Sequence, residues 1–246
     1  MQALKAVYRR ELLAYFQTPL AYVFLAVFAF AAPAFAFYVG RFFDTNRADL
    51  APLFDYLPWL LIILMPALAM RSWAEERDRG TLEFLMALPI PLWASTGGKF
   101  LAAWTLAAAA LALTFPMWMA VNYLGSPDNA AIATGYFGAF LLAGAYLALG
   151  QALSATTSNQ VVAFVLGTGA CFAITLAGLP FVFSALGDAA SASIAEFIAD
   201  LSALERYNAF GRGVIELRDV IYFLGLIAAS LAAAAVLIAE RRGGGR

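Results

Sequence analysis

Six stretches of this chain contain no Asp, Glu, Lys or Arg: residues 20–40, 56–70, 100–124, 134–155, 161–186 and 220–239. Runs of that length leave few folds open. An α-helix rises 1.5 Å per residue, so about 20 residues cross the roughly 30 Å hydrocarbon core of a bilayer. A backbone placed there must satisfy its own hydrogen bonds, and a helix does so within one segment. The expected fold is an all-α integral membrane protein with six transmembrane helices, forming a single transmembrane domain over residues 1–246. The second run is the shortest, and Leu53 and Phe54 extend it. Charged residues make up 13% of the chain, about half the roughly 25% of a soluble domain, which leaves too little polar surface for a water-soluble fold.

Local signals refine this plan. Pro33 predicts a kink in the first span, Pro58 and Pro66 lie in the second, and Pro116 falls near the outer end of the third. Gly167, Gly169, Gly178 and Pro180 mark the fifth span, which small residues would let pack inside the bundle. Over residues 2–17, Leu4, Val7, Tyr8, Leu12, Tyr15 and Phe16 share one helical face, while Lys5, Arg9 and Arg10 lie elsewhere. That pattern suits a helix lying in the membrane interface. In the loop 187–219, Ile194, Phe197, Ile198 and Leu201 have helical spacing, and Ser193/Glu196 and Ser202/Glu205 suit capping boxes. The spacing predicts one or two short amphipathic helices at the outer interface, the first over 194–204. Arg212, Glu216, Arg218 and Asp219 follow them, either as a functional outer cluster or paired with one another in the interface.

Composition also excludes functions. A formal net charge of −1 carries no nucleic-acid footprint. With no His and one Cys, the chain cannot build a His/Cys metal cluster, an internal disulfide or a histidine proton relay. Cys171 reads as a small buried apolar residue. Spans without ionisable groups argue against an ion-coupled transporter and against a hydrolase with buried acids. Their polar residues, Thr105, Thr114, Asn122, Gln151, Thr168, Thr175 and Ser184, are expected to hydrogen-bond between helices. Residues 97–100, Gly-Gly-Lys-Phe, lack the earlier Gly and the Ser or Thr of a phosphate-binding loop. No catalytic residue, metal site or cofactor is therefore expected in this chain.

Six spans place both termini on one side. That side carries Lys5, Arg9, Arg10, Arg71, Arg77, Arg79, Lys99, Arg241, Arg242 and Arg246, ten of the fifteen Lys and Arg residues. The bias predicts cytoplasmic termini. Trp93 and Lys99 are expected to mark the same interface before the third span. The segment 71–89 on that side holds the densest charge, with Glu75, Glu76, Arg77, Asp78 and Arg79 in succession. Gly80 and Thr81 suit a helix start, Leu82, Leu85 and Met86 give an apolar edge, and Pro89 suits the end. A short amphipathic helix over 81–88 at the water face would serve as a docking piece, with Glu76, Arg77 and Glu83 setting its register. The plainer alternative is a solvated loop.

Residues 76–83, Glu-Arg-Asp-Arg-Gly-Thr-Leu-Glu, followed by Leu85 and Pro89, resemble the cytoplasmic coupling segment of ABC-2 type transporter permeases. The family pattern is roughly E-x-x-x-G-T-L-E-x-L after the second membrane helix. Residues 154–164, with Ser-Asn-Gln-Val-Val-Ala at 158–163, and residues 207–223 resemble the gliding-motility-associated branch of that family. The resemblance implies the permease subunit of an ATP-driven exporter in the bacterial cytoplasmic membrane, with Glu75, Glu76, Arg77, Gly80, Thr81, Leu82, Glu83 and Leu85 forming the ATPase-coupling site. It implies a separate ABC ATPase subunit that binds ATP and Mg, and a second permease, identical or related, that completes the translocation path as a dimer. An accessory outer-side protein is a further partner it allows. The alternative is a membrane anchor subunit that transports nothing.

Overall fold

The computed structural model describes residues 2–43, 48–82, 84, 90–177 and 201–243, the last three as backbone alone. All regular structure among them is helical. Five helical stretches are long and apolar enough to cross a membrane: Pro19–Val39, Ala51–Asp78, Leu92–Leu124, Asn129–Ser154 and Leu217–Glu240. A sixth apolar helix, Gln160–Leu176, is shorter in its described part, and the rest of the expected fifth span lies outside the described residues.

The chain opens with α1 (Gln2–Gln17) and continues through α2 (Pro19–Ala34). Pro19 sits in the first turn of α2, where a missing N–H costs nothing. Pro33 disturbs the ladder as expected. The helix passes into a π-helical turn at Phe35–Val39, closed by Gly40 N–H donating to the Phe35 carbonyl at 2.8 Å. α3 (Ala51–Ala69) runs straight into α4 (Arg71–Asp78). The charged run is thus a helical extension of the second span, where the sequence suggested only a segment leading to a later helix. The reason lies far along the chain: the Ser154 hydroxyl accepts from the N–H groups of Trp73 (3.1 Å) and Ala74 (3.0 Å) and donates to the Met70 carbonyl at 2.8 Å. It is spliced into the helical ladder at the junction, a recognised cause of a bend without a break.

α5 (Leu92–Ala112) and α6 (Phe115–Leu124) form the third span, broken before Pro116. α5 begins well before residue 100, the start expected from the sequence, and runs through Gly97 and Gly98, where α1 packs on it. Lys99 therefore lies inside α5. α1 packs against this early part: a side chain built at Gly98 would meet Val7 Cγ1 at 2.7 Å. The Gly97-Gly98 pair is a packing notch for an amphipathic helix that the sequence alone placed in the interface.

α7 (Asn129–Ser154) starts before the expected residue 134 because the Asp128 carboxylate caps it, accepting from the N–H groups of Ala130 and Ala131. It is the central helix, with Ala139, Leu142, Ala143, Ala145, Tyr146 and Ala148 fully buried. α8 (Gln160–Leu176), capped by Asn159, was expected inside the bundle; instead it lies at the edge. Only the stripe Ala163, Gly167, Cys171 and Thr175 is buried, while Val161, Val165 and Leu166 face outward. Its small residues bring one side close to α7 and to Pro66 and leave the other open.

α9 (Ala203–Gly211) is capped by the Ser202 hydroxyl, which accepts from Glu205 N–H at 3.4 Å, as the second capping box predicted. The helix expected over 194–204 is overturned at its end. Leu201 and Ser202 are not helical, because Ser202 takes extended geometry to cap α9, and 194–200 lie outside the described residues. α9 is drawn into the bundle. Ala203, Tyr207 and Phe210 are buried, Tyr207 Oη donates to the Phe54 carbonyl (3.1 Å), and Thr134 Oγ1 donates to the Phe210 carbonyl (2.8 Å). α10 (Leu217–Gly243) is the last span. Because the helices outrun the apolar runs, the long apolar stretches take in Asp55, Lys99 and Asp219. All three lie outside the six uncharged runs, at the added ends of the helices.

Candidate functional site

The charged side chains gather at two opposite ends of the bundle, and the larger cluster surrounds α4. Arg71 and Glu75 pair one turn apart at 2.6 Å, and Arg79 closes on the same Glu75 carboxylate at 2.7 Å. On the other face of α4, Glu76 turns inward. Its Oε1 accepts from Lys99 Nζ at 2.8 Å, and the same ammonium reaches Glu11 of α1 at 3.3 Å. Lys99 is only 4% exposed and lies 5.0 Å from the centre of the Trp73 ring. Arg10 stands 3.7 Å from Glu76. One buried cation thus joins α1, α4 and α5. Burial by itself raises the pKa of the Glu11 carboxyl, but Lys99 and Arg10 beside it outweigh that and hold it below its ordinary value.

Arg77 Nη1 donates to the Ala155 carbonyl at 3.0 Å, beside the Ser154 splice. α4 ends in a Schellman arrangement: Thr81 N–H donates to the Glu76 carbonyl (2.9 Å) and Gly80 N–H to that of Arg77 (3.2 Å), with Gly80 at φ +66°. Glycine takes that conformation at no steric cost. Beyond the turn, Leu82 leans on Trp73, Ala155 and Ile238, whereas Arg79 is 69% and Phe84 77% exposed. An open cavity of about 800 Å³ lies between α1 and α4, lined by Arg10, Tyr15, Arg71, Glu75, Arg79 and Lys99 among others.

Of the expected coupling residues, Glu75, Glu76, Arg77, Gly80, Thr81 and Leu82 come together here. Glu83, Leu85 and the rest of the expected helix over 81–88 lie outside the described residues, apart from Thr81, Leu82 and Phe84. Two roles change. Glu76 and Arg77 were expected to set a docking register at the surface, yet they bind α4 to its own bundle. Leu82 likewise packs inward. Sequence reasoning missed Lys99, Glu11 and Ser154. Glu11 carried a signal, since it falls on the stripe of Leu4, Val7, Tyr8 and Tyr15 that α1 turns toward α5.

At the opposite end, Asp219 pairs with Arg206 of α9 at 3.1 Å, and that guanidinium stacks 4.6 Å over Tyr222. Arg212, Glu216 and Arg218 are exposed. Asp219 thus turns to Arg206, which lies outside the expected outer cluster. Comparison with models of known protein families and with curated proteins finds no match to this chain.

Proposed function

We propose that this chain is the membrane subunit of an ABC-2 type ATP-driven exporter, with α4 and the turn after it receiving the stroke of a separate ATPase. The observation that carries the reading is the mounting of α4. It projects from the second span as a charged helix fixed by Lys99 to α5 and by Ser154 and the Ala155 carbonyl to the end of α7, while Arg79 and Phe84 stay exposed. A solvated loop needs no such anchoring. In this reading Gln160–Leu176 begins the fifth of six spans, both termini are cytoplasmic, and two permease chains enclose the path. The chain binds no nucleotide; ATP and Mg belong to the partner.

The test is copurification of the tagged chain with its ATPase, followed by hydrolysis measurements on Arg79→Glu/Phe84→Asp. Phe84 is exposed, and the pair that Arg79 gives up with Glu75 is a surface one while Glu75 keeps Arg71, so folding should be spared. The expected result is loss of the ATPase from the complex or loss of the membrane subunit's effect on its rate. Unchanged association and rate would remove α4 as the docking element and favour the anchor-subunit alternative.

A further inference from the structure

We infer that the break between α5 and α6 forms a binding site for one acyl chain of a membrane phospholipid. Where α5 stops at Ala112 and α6 restarts at Phe115, the third span pulls away from α7 and leaves an apolar cleft of about 210 Å³. Its walls are Ala108, Ala112, Phe115, Trp118, Tyr136 and Phe140. An apolar cavity of about 150 Å³ already accepts a benzene molecule, so this cleft has room for a chain segment.

Three features select the occupant. First, the polar atoms on the walls are already engaged: Tyr136 Oη with Thr114 Oγ1 at 2.8 Å, and Trp118 Nε1 donating to Asn129 Oδ1 at 2.7 Å. A polar guest would lose its water and find little to replace it. Second, the walls are rigid aromatic faces, Trp118 stacked on Tyr136 at 5.7 Å and Phe140 on Trp104 at 4.2 Å. Third, Ala112 and Phe115 are exposed, so the cleft opens sideways within two helices long enough to span a bilayer, and what lies there is hydrocarbon. Beyond Trp118 toward the 125–128 turn, Asn122 and Asn129 form a reciprocal amide pair at 3.0 Å in both directions. That amide pair marks the polar end of the site. The match is to an amphiphile with its chain in the cleft and its headgroup beside the asparagines, in the leaflet on that side. The inference needs these helices to stand in a bilayer; it does not need an ATPase partner.

The experiment is native mass spectrometry of the chain purified in mild detergent and exchanged into fresh detergent. The parent and the control Ala228→Phe, which adds the same ring on exposed α10, should keep a bound phospholipid. Ala112→Phe, which fills the cleft, should lose it while eluting as a folded species. Equal retention by Ala112→Phe and the parent would overturn the site. Should Ala112→Phe not fold, the parent and Trp118→Phe are reconstituted into phosphatidylcholine vesicles doped with brominated-chain phosphatidylcholine. Saturable quenching at low bromolipid fraction that Trp118→Phe removes supports the site. Quenching identical in both proteins overturns it.

Discussion

Replacing Lys99 by Met keeps a flexible side chain of similar length and removes the ammonium, with its 5.0 Å approach to the Trp73 ring. Glu76 then loses its 2.8 Å donor and Glu11 its 3.3 Å donor. Removing one partner of a buried ion pair costs about 3–5 kcal/mol, because the other charge stays behind uncompensated. Here the carboxylate side chains keep 18–19% exposure and Arg10 remains 3.7 Å from Glu76. The expected cost falls to about 2–3 kcal/mol. Equilibrium unfolding in mixed micelles, followed by loss of helical circular dichroism, measures it. The triple variant Lys99→Met/Glu11→Gln/Glu76→Gln should recover more than half of the loss, since the one charge it leaves without a carboxylate, Arg10, is half exposed to water. A Lys99→Met stability within about 0.5 kcal/mol of the parent, the range of a surface change, would refute the clamp. So would a triple variant less stable than the single.

The same cluster has a pH signature. The Glu11 carboxyl is held below its ordinary value, so its contribution is complete above that ordinary value and is lost as pH falls through the lower folded value. Glu11→Gln should flatten this acid limb of the unfolding profile, and an unchanged limb would place the loss elsewhere. Ser154→Ala leaves the Trp73 and Ala74 N–H groups without their acceptor. It should cost about 1–3 kcal/mol in the same unfolding assay. Gly98→Val drives a side chain into Val7 and should cost about 1–3 kcal/mol, with faster tryptic cutting at Lys5 and Arg9 as α1 is displaced; unchanged cutting would mean α1 does not rely on the notch.

The spans were legible because absence of charge over some twenty residues has one common cause, and the described helical stretches cover five of the six runs to within one residue. Their limits were less legible. α5 and α7 outran the expected starts because α1 packs on α5 at Gly97 and Gly98 and Asp128 is a cap, so charge alone marked the wrong boundary. The candidate site was half legible. The Gly80 turn is local, and a Gly after a charged helix end announces it. The attachments are not local: Lys99 and Glu11 are 88 positions apart, and Trp73 and Ser154 are 81 apart. No periodicity within one segment encodes such a pair. The burial of α7 rather than α8 was hidden for a related reason. Small residues permit close approach in either helix, and only the partners decide which one is surrounded.

Charge near the end of a span was first taken as a sign of surface, and α4 shows why that inference fails there. Within the bilayer, helices cohere through close packing of apolar and small side chains. α4 reads Arg-Ser-Trp-Ala-Glu-Glu-Arg-Asp and buries only Ser72, Trp73 and Ala74, too little apolar area to hold a projecting helix in place. Its remaining attachments must be polar, and polar attachments become strong only where water is excluded. That condition is met by turning Glu76 onto Lys99 and Arg77 onto the Ala155 carbonyl, and leaving Arg79 outside. Such contacts are directional, so α4 is fixed in angle as well as in place. In the proposed exporter, a force on Arg79 or Phe84 would then reach α5 and α1 through Glu76–Lys99–Glu11 and α7 through Ser154, besides α3 through the backbone. The Lys99→Met variant separates these routes. It leaves Arg79 and Phe84 available to an ATPase, cuts the branch to α5 and leaves α1 only the 3.7 Å Arg10–Glu76 pair, so the ATPase should still copurify while its rate responds far less to the membrane subunit.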